Sequence, residues 1–244
     1  MAGRSVKIWK GGSRVNSVAF AMRLAAAAGA LCVLACTCAY GDEPSAAQIL
    51  AGCQAMLPVK PVELKGAIVL RNRKGIVQSE YGYTLVLDRS RIPAEVDLTI
   101  HEREGSNVLK HVTLKRPGPI PEGRVMDTDV TWLDLSLDYL WWTNPRYEAD
   151  REGESVHGQK CSLIFVDPPG SVPGVKGMRL WVDKKNGCMM QAEELGEDGK
   201  AKRRIWGTRV KKFGERWMAN VLETETLGSG RRTKITVDAL RELP

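Results

Sequence analysis

The sequence predicts a mainly β chain of the α+β class, an antiparallel meander curled into an incomplete or closed barrel. Three observations carry that expectation. Short alternating segments recur with turn-forming residues between them. One hairpin has a register that satisfies both of its faces. One segment, residues 127–142, holds three of the seven tryptophans in a chain otherwise written as strands. That much aromatic surface has to be buried, and a small sheet offers little else to cover it. The segment either plugs the open side of a curved sheet or guards an apolar pocket there.

Residues 1–41 read as a leader rather than as part of the fold. Arg4, Lys7, Lys10, Arg14 and Arg23 give a basic lead with no acid, and an apolar run, 24–36, overlaps its end. A charged lead before an apolar run too short to span a bilayer is a secretory signal. Met22-Arg23 before that run already completes such a signal, so Met22 competes with Met1 as the start. Small residues at Ala39 and Gly41 suit cleavage before Asp42. Val33-Leu-Ala-Cys36 is similar to a bacterial lipobox, a competing reading in which Cys36 is lipidated and anchors the chain to the outer membrane. Either way the expectation is an exported, periplasmic protein with one domain over residues 42–244.

Removing the leader changes the charge argument. The chain has 36 basic and 29 acidic residues, a formal net charge of +7. Five of the basic residues lie in 1–41, so 42–244 hold 31 against 29, a net of +2. No phosphate-neutralising excess remains, and nucleic acid drops out as a partner class. The same cleavage reduces six cysteines to Cys53, Cys161 and Cys188. An odd number allows at most one disulfide and leaves at least one free thiol. They read best as small buried apolar residues.

Helical spacing of Ala46, Ile49, Leu50, Cys53 and Met56 or Leu57 predicts a helix over 44–57, stopped by Pro58. Strands follow at 63–71, 76–87, 95–104, 108–115, 147–156, 159–166, 176–183, 188–195, 200–210, 216–227 and 231–239. Their separators are turn formers such as Asn72-Arg-Lys-Gly75, Asp167-Pro-Pro-Gly170, Lys185-Asn-Gly187 and Glu197-Asp-Gly199. A three-residue loop at 105–107 sets Ile100 opposite Val112, Leu98 opposite Leu114 and Thr99 opposite Thr113, apolar on apolar and polar on polar. Within 127–142, Thr131 with Asp134 three residues on is a helix N-cap pattern. Trp132, Leu135, Tyr139 and Trp142 then share one helical face beside Leu140, and Asp134 and Asp138 mark the wet face. Strict alternation from Leu133 to Tyr139 fits a strand as well. The cap agrees with the aromatic spacing, so a helix to about residue 141 is expected.

The block from Thr128 to Trp142 resembles one found in outer-membrane lipoprotein-sorting proteins, the family of the periplasmic lipoprotein carrier LolA and its receptor LolB. Gly158-Gln-Lys-Cys161, Met178-Arg-Leu-Trp-Val-Asp183, Met189-Met-Gln-Ala-Glu193, Asp198-Gly-Lys200 and Lys212-Phe-Gly-Glu-Arg-Trp217 match in the same order, over most of residues 44–240. The resemblance implies an unclosed β-barrel of about eleven strands covered by one or two helices. It implies lipid or lipoprotein acyl chains as cargo, a membrane transporter as loading partner, and no chemistry. Trp132, Leu135, Tyr139, Leu140, Trp142, Ile49 and Leu50 are the candidates to line or cover the apolar cavity, and no residue role is carried over from the family.

Catalytic patterns are missing from 42–244: no Gly-x-Ser-x-Gly, phosphate loop, His-Glu-x-x-His or Cys-x-x-Cys occurs. No cofactor is implied. The register above sets His101 opposite His111, but two imidazoles make an incomplete metal site, and solvated histidines are the simpler reading. The Lys202-Arg-Arg204 and Lys211-Lys212 clusters, near Trp206, read as a solvated strand edge kept basic against edge pairing, with anionic headgroups as the competing partner. The functional expectation is a carrier or receptor for acyl chains. A non-catalytic envelope sensor or scaffold that binds a protein partner is the alternative, and a hydrolase ranks third.

Overall fold

A computed structural model describes residues 43–91, 94–116, 118–148, 154–170 and 172–244. The leader and lipobox readings, with Cys36, fall outside them. Helix α1 (Ala46–Met56) comes first, followed by strands β1 (Val62–Arg71), β2 (Val77–Asp88), β3 (Ala94–Glu102) and β4 (Val108–Arg116). Next come α2 (Trp132–Ser136), a 3-10 turn at Asp138–Trp141, β5 (Thr143–Tyr147) and β6 (Ser155–Val156). The chain ends with β7 (Gln159–Asp167), β8 (Gly177–Asp183), β9 (Met189–Leu195), β10 (Ala201–Phe213), β11 (Arg216–Thr226) and β12 (Arg232–Glu242).

All twelve strands belong to one antiparallel sheet, in the order β4-β3-β2-β1-β12-β11-β10-β9-β8-β7-β5, with β6 paired to β7. The C-terminal strand β12 returns to pair with β1, which puts the first and last strands at the centre. Strands β4 and β5 end the path and do not pair with each other, so the sheet stays unclosed. Its two wings nevertheless share an interior. Leu98, Ile100 and Leu114 from one wing and Ile164, Leu180 and Ala192 from the other lie in one buried cluster. A sheet of this length has to curl to bring those faces together. Strands β7 and β8 are buried on both faces, because Val156, Cys161, Leu163 and Trp181 form a second, smaller cluster behind the main one.

The local signals act as expected at many places. Ser45 accepts from the Gln48 amide at 3.3 Å while the Gln48 side chain accepts from the Ser45 amide at 2.7 Å, a capping box that starts α1. Asn72 Oδ1 accepts from the amides of Lys74 and Ile76 at 2.9 and 3.1 Å, tightening the β1–β2 turn. Leu57 rather than Met56 packs inward from the end of α1.

Four expectations are corrected. The single strand at 147–156 is instead β5 and β6, with residues 149–153 outside the described set. The β3–β4 register is two residues away from the predicted one, pairing Leu98 with Val112 and Thr99 with His111. A slip of two keeps every side chain on its face, so the face test passes both registers. A longer loop selects the real one: Glu102 N donates to Asn107 O at 3.1 Å, and a bulge falls between Ile100 and His101. His101 therefore sits opposite Val108, and His111 pairs with Asp97 at 2.5 Å instead. Third, the predicted helix to residue 141 breaks at Leu137, whose φ of 54° is left-handed and separates α2 from the 3-10 turn. Fourth, the edge expected at Lys202-Arg-Arg204 is interior, since β10 lies between β9 and β11 over Ala201–Trp206 and Arg203 there is buried, whereas Lys211 and Lys212 do lie on a stretch of β10 that β9 leaves unpaired.

At the centre, β1 and β12 approach closely where the register shifts beside Gly66. A Cβ there would meet the Thr236 carbonyl oxygen at 1.7 Å, too close for any side chain. Backbone rather than a flexible side chain would have to give way, so Gly66→Ala is expected to cost about 2–3 kcal/mol. Urea unfolding would read this as a lower midpoint at an unchanged slope.

Candidate functional site

Residues 124–142 cover the concave face of the sheet. The cover starts with a tight reversal, in which Val125 N donates to Val130 O at 2.7 Å and Thr128 Oγ1 donates to Val125 O at 2.6 Å. Thr131 then caps α2, accepting from the Asp134 amide at 3.4 Å while Asp134 Oδ2 accepts from the Thr131 amide at 2.8 Å. Among the described residues, the cover's backbone-to-backbone hydrogen bonds all run within the cover itself. It is fastened to the sheet by side chains.

The fastening is a buried charge network. Asp129 is fully buried on the cover. Its carboxylate accepts from Thr226 Oγ1 at 2.9 Å and Thr233 Oγ1 at 3.3 Å, with Arg124 and Arg231 at 3.4 and 3.5 Å. Arg203 reaches up from β10. It donates to Asp129 O at 2.8 Å, to Thr131 Oγ1 at 3.2 Å, to Glu194 at 2.8 Å and to Asp134. Burial works against its charge, but Asp134 and Glu194 outweigh burial and hold the guanidinium above its ordinary range. Asp134, expected on the wet face, is thus a buried partner of this clamp.

The other end of the cover is held less completely. Arg116, buried at the end of β4, has its guanidinium 4.4 Å from the Trp141 ring and 4.0 Å from Asp138. Burial pushes Arg116 down to about 10 and Asp138 upward, both toward their neutral forms. Asp138 is therefore buried too, accepting from Trp142 Nε1 at 3.4 Å, and the predicted wet face does not exist. Gln54 of α1 donates to Leu140 O at 2.6 Å, and Arg89 donates to Gln54 O and Leu57 O at 2.8 and 3.2 Å. Helix α1 and the cover are joined at that point.

The structure brings the predicted candidates together. Trp132, Leu135, Tyr139, Leu140, Trp142 and Leu50 are buried in one apolar cluster, and Ile49 packs half-buried against it. In this conformation their side chains occupy the space over the concave face. Two donors among them, Trp132 Nε1 and Tyr139 OH, are buried without a hydrogen-bond partner. Two cavities of about 220 and 370 Å³ lie elsewhere, one beside Arg146 and Arg179, the other beside Trp181 and Trp206. None of the seven candidates lines either.

Sequence reading missed Arg203, Asp129, Thr224 and Thr233, all buried. One signal was present: in β10, Arg203 and Ile205 share the parity of the inward face, while Lys202 and Arg204 do not. Among the described residues no group of three His, Cys, Asp or Glu is placed to hold a metal. Cys53, Cys161 and Cys188 are free thiols, and Cys53 donates to Gly187 O at 3.4 Å.

Two outcomes follow from the clamp and from the buried thiol. Arg203→Met leaves Asp134 and Glu194 charged without their partner, and is expected to destabilise the fold by about 3–5 kcal/mol in urea titration. Burial, with Cys188 nearby, pushes the Cys53 thiol up from 9.0 to about 11. At about pH 8 its alkylation should run roughly a hundredfold slower than in the urea-unfolded chain, and should accelerate as pH rises toward that value. Mass mapping of iodoacetamide adducts checks this.

No curated protein sequence matches the chain. Solved structures do, at low identity. A domain described as an outer membrane lipoprotein-sorting protein domain, from Vibrio parahaemolyticus, superimposes with a TM-score of 0.61 at 13% identity, covering 80% of this chain and 91% of that one. A DUF1329 family protein from Desulfovibrio piger gives 0.58 at 14% identity, over 81% and 91% of the two chains. A LolA superfamily protein from Nitrosomonas europaea gives 0.57 at 15% identity, over 83% and 96%. The fold expected from the resemblance is therefore the fold observed, an unclosed sheet with few helices. A family model described as "-like: Uncharacterized protein" matches residues 113–242, more than half of the sequence, and the chain belongs to that family.

Proposed function

We propose that the protein captures acyl chains on the concave face of its sheet and takes part, without catalysis, in lipid or lipoprotein sorting at the outer membrane. The observation that carries this reading is the cover. An apolar concave face is closed by a segment whose backbone-to-backbone hydrogen bonds, among the described residues, run within itself. Its middle can therefore lift on its chain junctions, one of them directly into β5, without breaking any ladder of the sheet. Trp132 Nε1 and Tyr139 OH add support, because a buried donor without an acceptor is costly and an ester carbonyl would supply one.

The magnitudes allow the exchange. A 16-carbon acyl chain taken from water gains on the order of 10 kcal/mol at about 0.8 per methylene. Parting one buried charge from its partner costs about 3–5 kcal/mol. Cargo can therefore displace the cover, provided that Trp132, Tyr139 and Trp142 repack on the acyl chain instead of entering water. The weakly compensated Arg116–Asp138 end would open first, together with α1 through Gln54. Export through the leader at 1–41 would place the protein in the periplasm, with Cys36 as a membrane anchor if lipidated, and a membrane transporter as its loading partner. No helix among the described residues is long and apolar enough to cross a membrane.

The occupied interior favours a second reading, in which the same fold serves as an envelope sensor or scaffold and docks a protein. Native mass spectrometry of protein taken from its own envelope separates the two. The carrier reading expects one lipid adduct per chain, and uptake of a fluorescent fatty acid that increases severalfold when Arg116→Ala loosens the cover. Protein that is free of lipid, takes up no fatty acid and copurifies with a stoichiometric partner selects the scaffold.

A further inference from the structure

Strands β10 and β11 outrun their neighbours. Strand β10 pairs with β9 only over Ala201–Trp206, and β11 pairs with β12 only over Val221–Thr224. Beyond those points the two strands pair only with each other, as far as Phe213 opposite Arg216. The result is a two-stranded ribbon about 20 Å long, reckoned at about 3.3 Å per residue. Register shifts at Gly207, Arg209 and Val210 mark where it turns away, since bulges bend and twist a strand. Strand β12 continues from Val237 to Glu242 on β1 alone, so the ribbon has left the sheet.

Its composition is unlike that of a solvated hairpin. Val210 and Trp217 are 64% and 68% exposed. Lys212 pairs directly opposite Trp217, and Val210 opposite Ala219, so basic and apolar side chains share one face. On the other face Lys211 stands 4.9 Å from the centre of the Phe213 ring. Between Gly207 and Asn220 the sequence has four basic residues against one acid, Glu215. Glu215 pairs with Lys212 at 3.0 Å, but with its side chain 94% exposed that contact is screened by water. The ribbon leaves the sheet at the end where α1 terminates, and Met56 and Val59 are exposed at that end of α1.

We infer that the β10–β11 ribbon docks on an anionic lipid bilayer. Val210 and Trp217 enter the boundary between headgroups and acyl chains, and Arg209, Lys211 and Lys212 contact phosphates. Charge and exposure choose this occupant. An indole with an apolar body and a polar N–H suits the interface, and each nearby cation adds about 1 kcal/mol at an anionic surface. Two-stranded ribbons are too narrow to bury a Trp on themselves, and nothing else in the described fold covers it. The inference concerns a surface and stands whether or not the concave face takes cargo.

Sedimentation with vesicles made of equal parts phosphatidylglycerol and phosphatidylcholine tests it, with pure phosphatidylcholine as the comparison. Variants are read against the parent in the same chain, so any contribution from residues 1–41 cancels. The parent should prefer the anionic vesicles and be released by salt. Trp217→Ala should weaken binding roughly tenfold, and a K211Q/K212Q double variant roughly twenty-five-fold at low salt, at about fivefold per cation removed. Both should keep the parent unfolding midpoint, because the altered side chains are exposed. Equal binding to both vesicle types, or parent-like binding by Trp217→Ala, would overturn the inference. So would Trp217→Ala dissolving a dimer of the parent, or an oligonucleotide binding the parent where anionic vesicles do not. Fatty-acid uptake measured on the same variants should not change, which keeps this surface separate from the cargo question.

Discussion

Everything over the concave face depends on one buried guanidinium. Arg203 stands on a strand in the middle of the sheet and holds the cover through Asp134, Thr131 and the Asp129 carbonyl. Around it the charges balance: Arg203, Arg124 and Arg231 face Asp129, Asp134 and Glu194. Such a network adds little net stability over an apolar packing of equal volume, because each ion gives up its water. Its strength lies in selection. A cover displaced by one turn would bury a carboxylate with no partner, so one seating is favoured over its neighbours.

Apolar and charged contacts divide the work of seating the cover, and under the proposed function the division would let it both hold and move. The apolar contacts of Trp132, Tyr139 and Trp142 are non-directional and would tolerate repacking on an acyl chain. The charge contacts are directional and would return the cover to its place. The two ends of the cover also differ. Arg203 itself has partners in Asp134, Glu194, Thr131 and the Asp129 carbonyl, whereas Arg116 leaves Nε and Nη1 without one and sits 4.0 Å from its carboxylate.

Much of this fold was legible in the sequence. Turn formers at Asn72, Gly170, Gly187 and Gly199 act over a few residues, so their effect did not depend on the rest of the chain. The Thr131 cap was equally local, and the aromatic spacing together with the helical spacing of α1 picked out seven candidates that all lie in or against one cluster. What failed was long-range. The β3–β4 register could not be chosen by facing, because a slip of two residues preserves the faces. Lys202-Arg-Arg204 looked like one basic run, yet strand alternation sends Arg203 inward and its neighbours outward. Asp134 and Asp138 looked wet because an acid on a helix is wet unless something far away in sequence pays for its burial.

By itself the sequence determined the periodicities, the turns, the caps and the presence of an aromatic segment that had to be covered. Those follow from forces acting between residues a few positions apart. Only tertiary structure decided that the aromatic segment would fill the hollow, that three arginines and three acids would fasten it there, and that one hairpin would outgrow the sheet. These outcomes arise from contacts between residues about 70 to 100 positions apart, such as Arg203 with Asp134 and Asp129 with Thr233. No local pattern records which distant strand a side chain will meet, because that is settled by how the sheet curls.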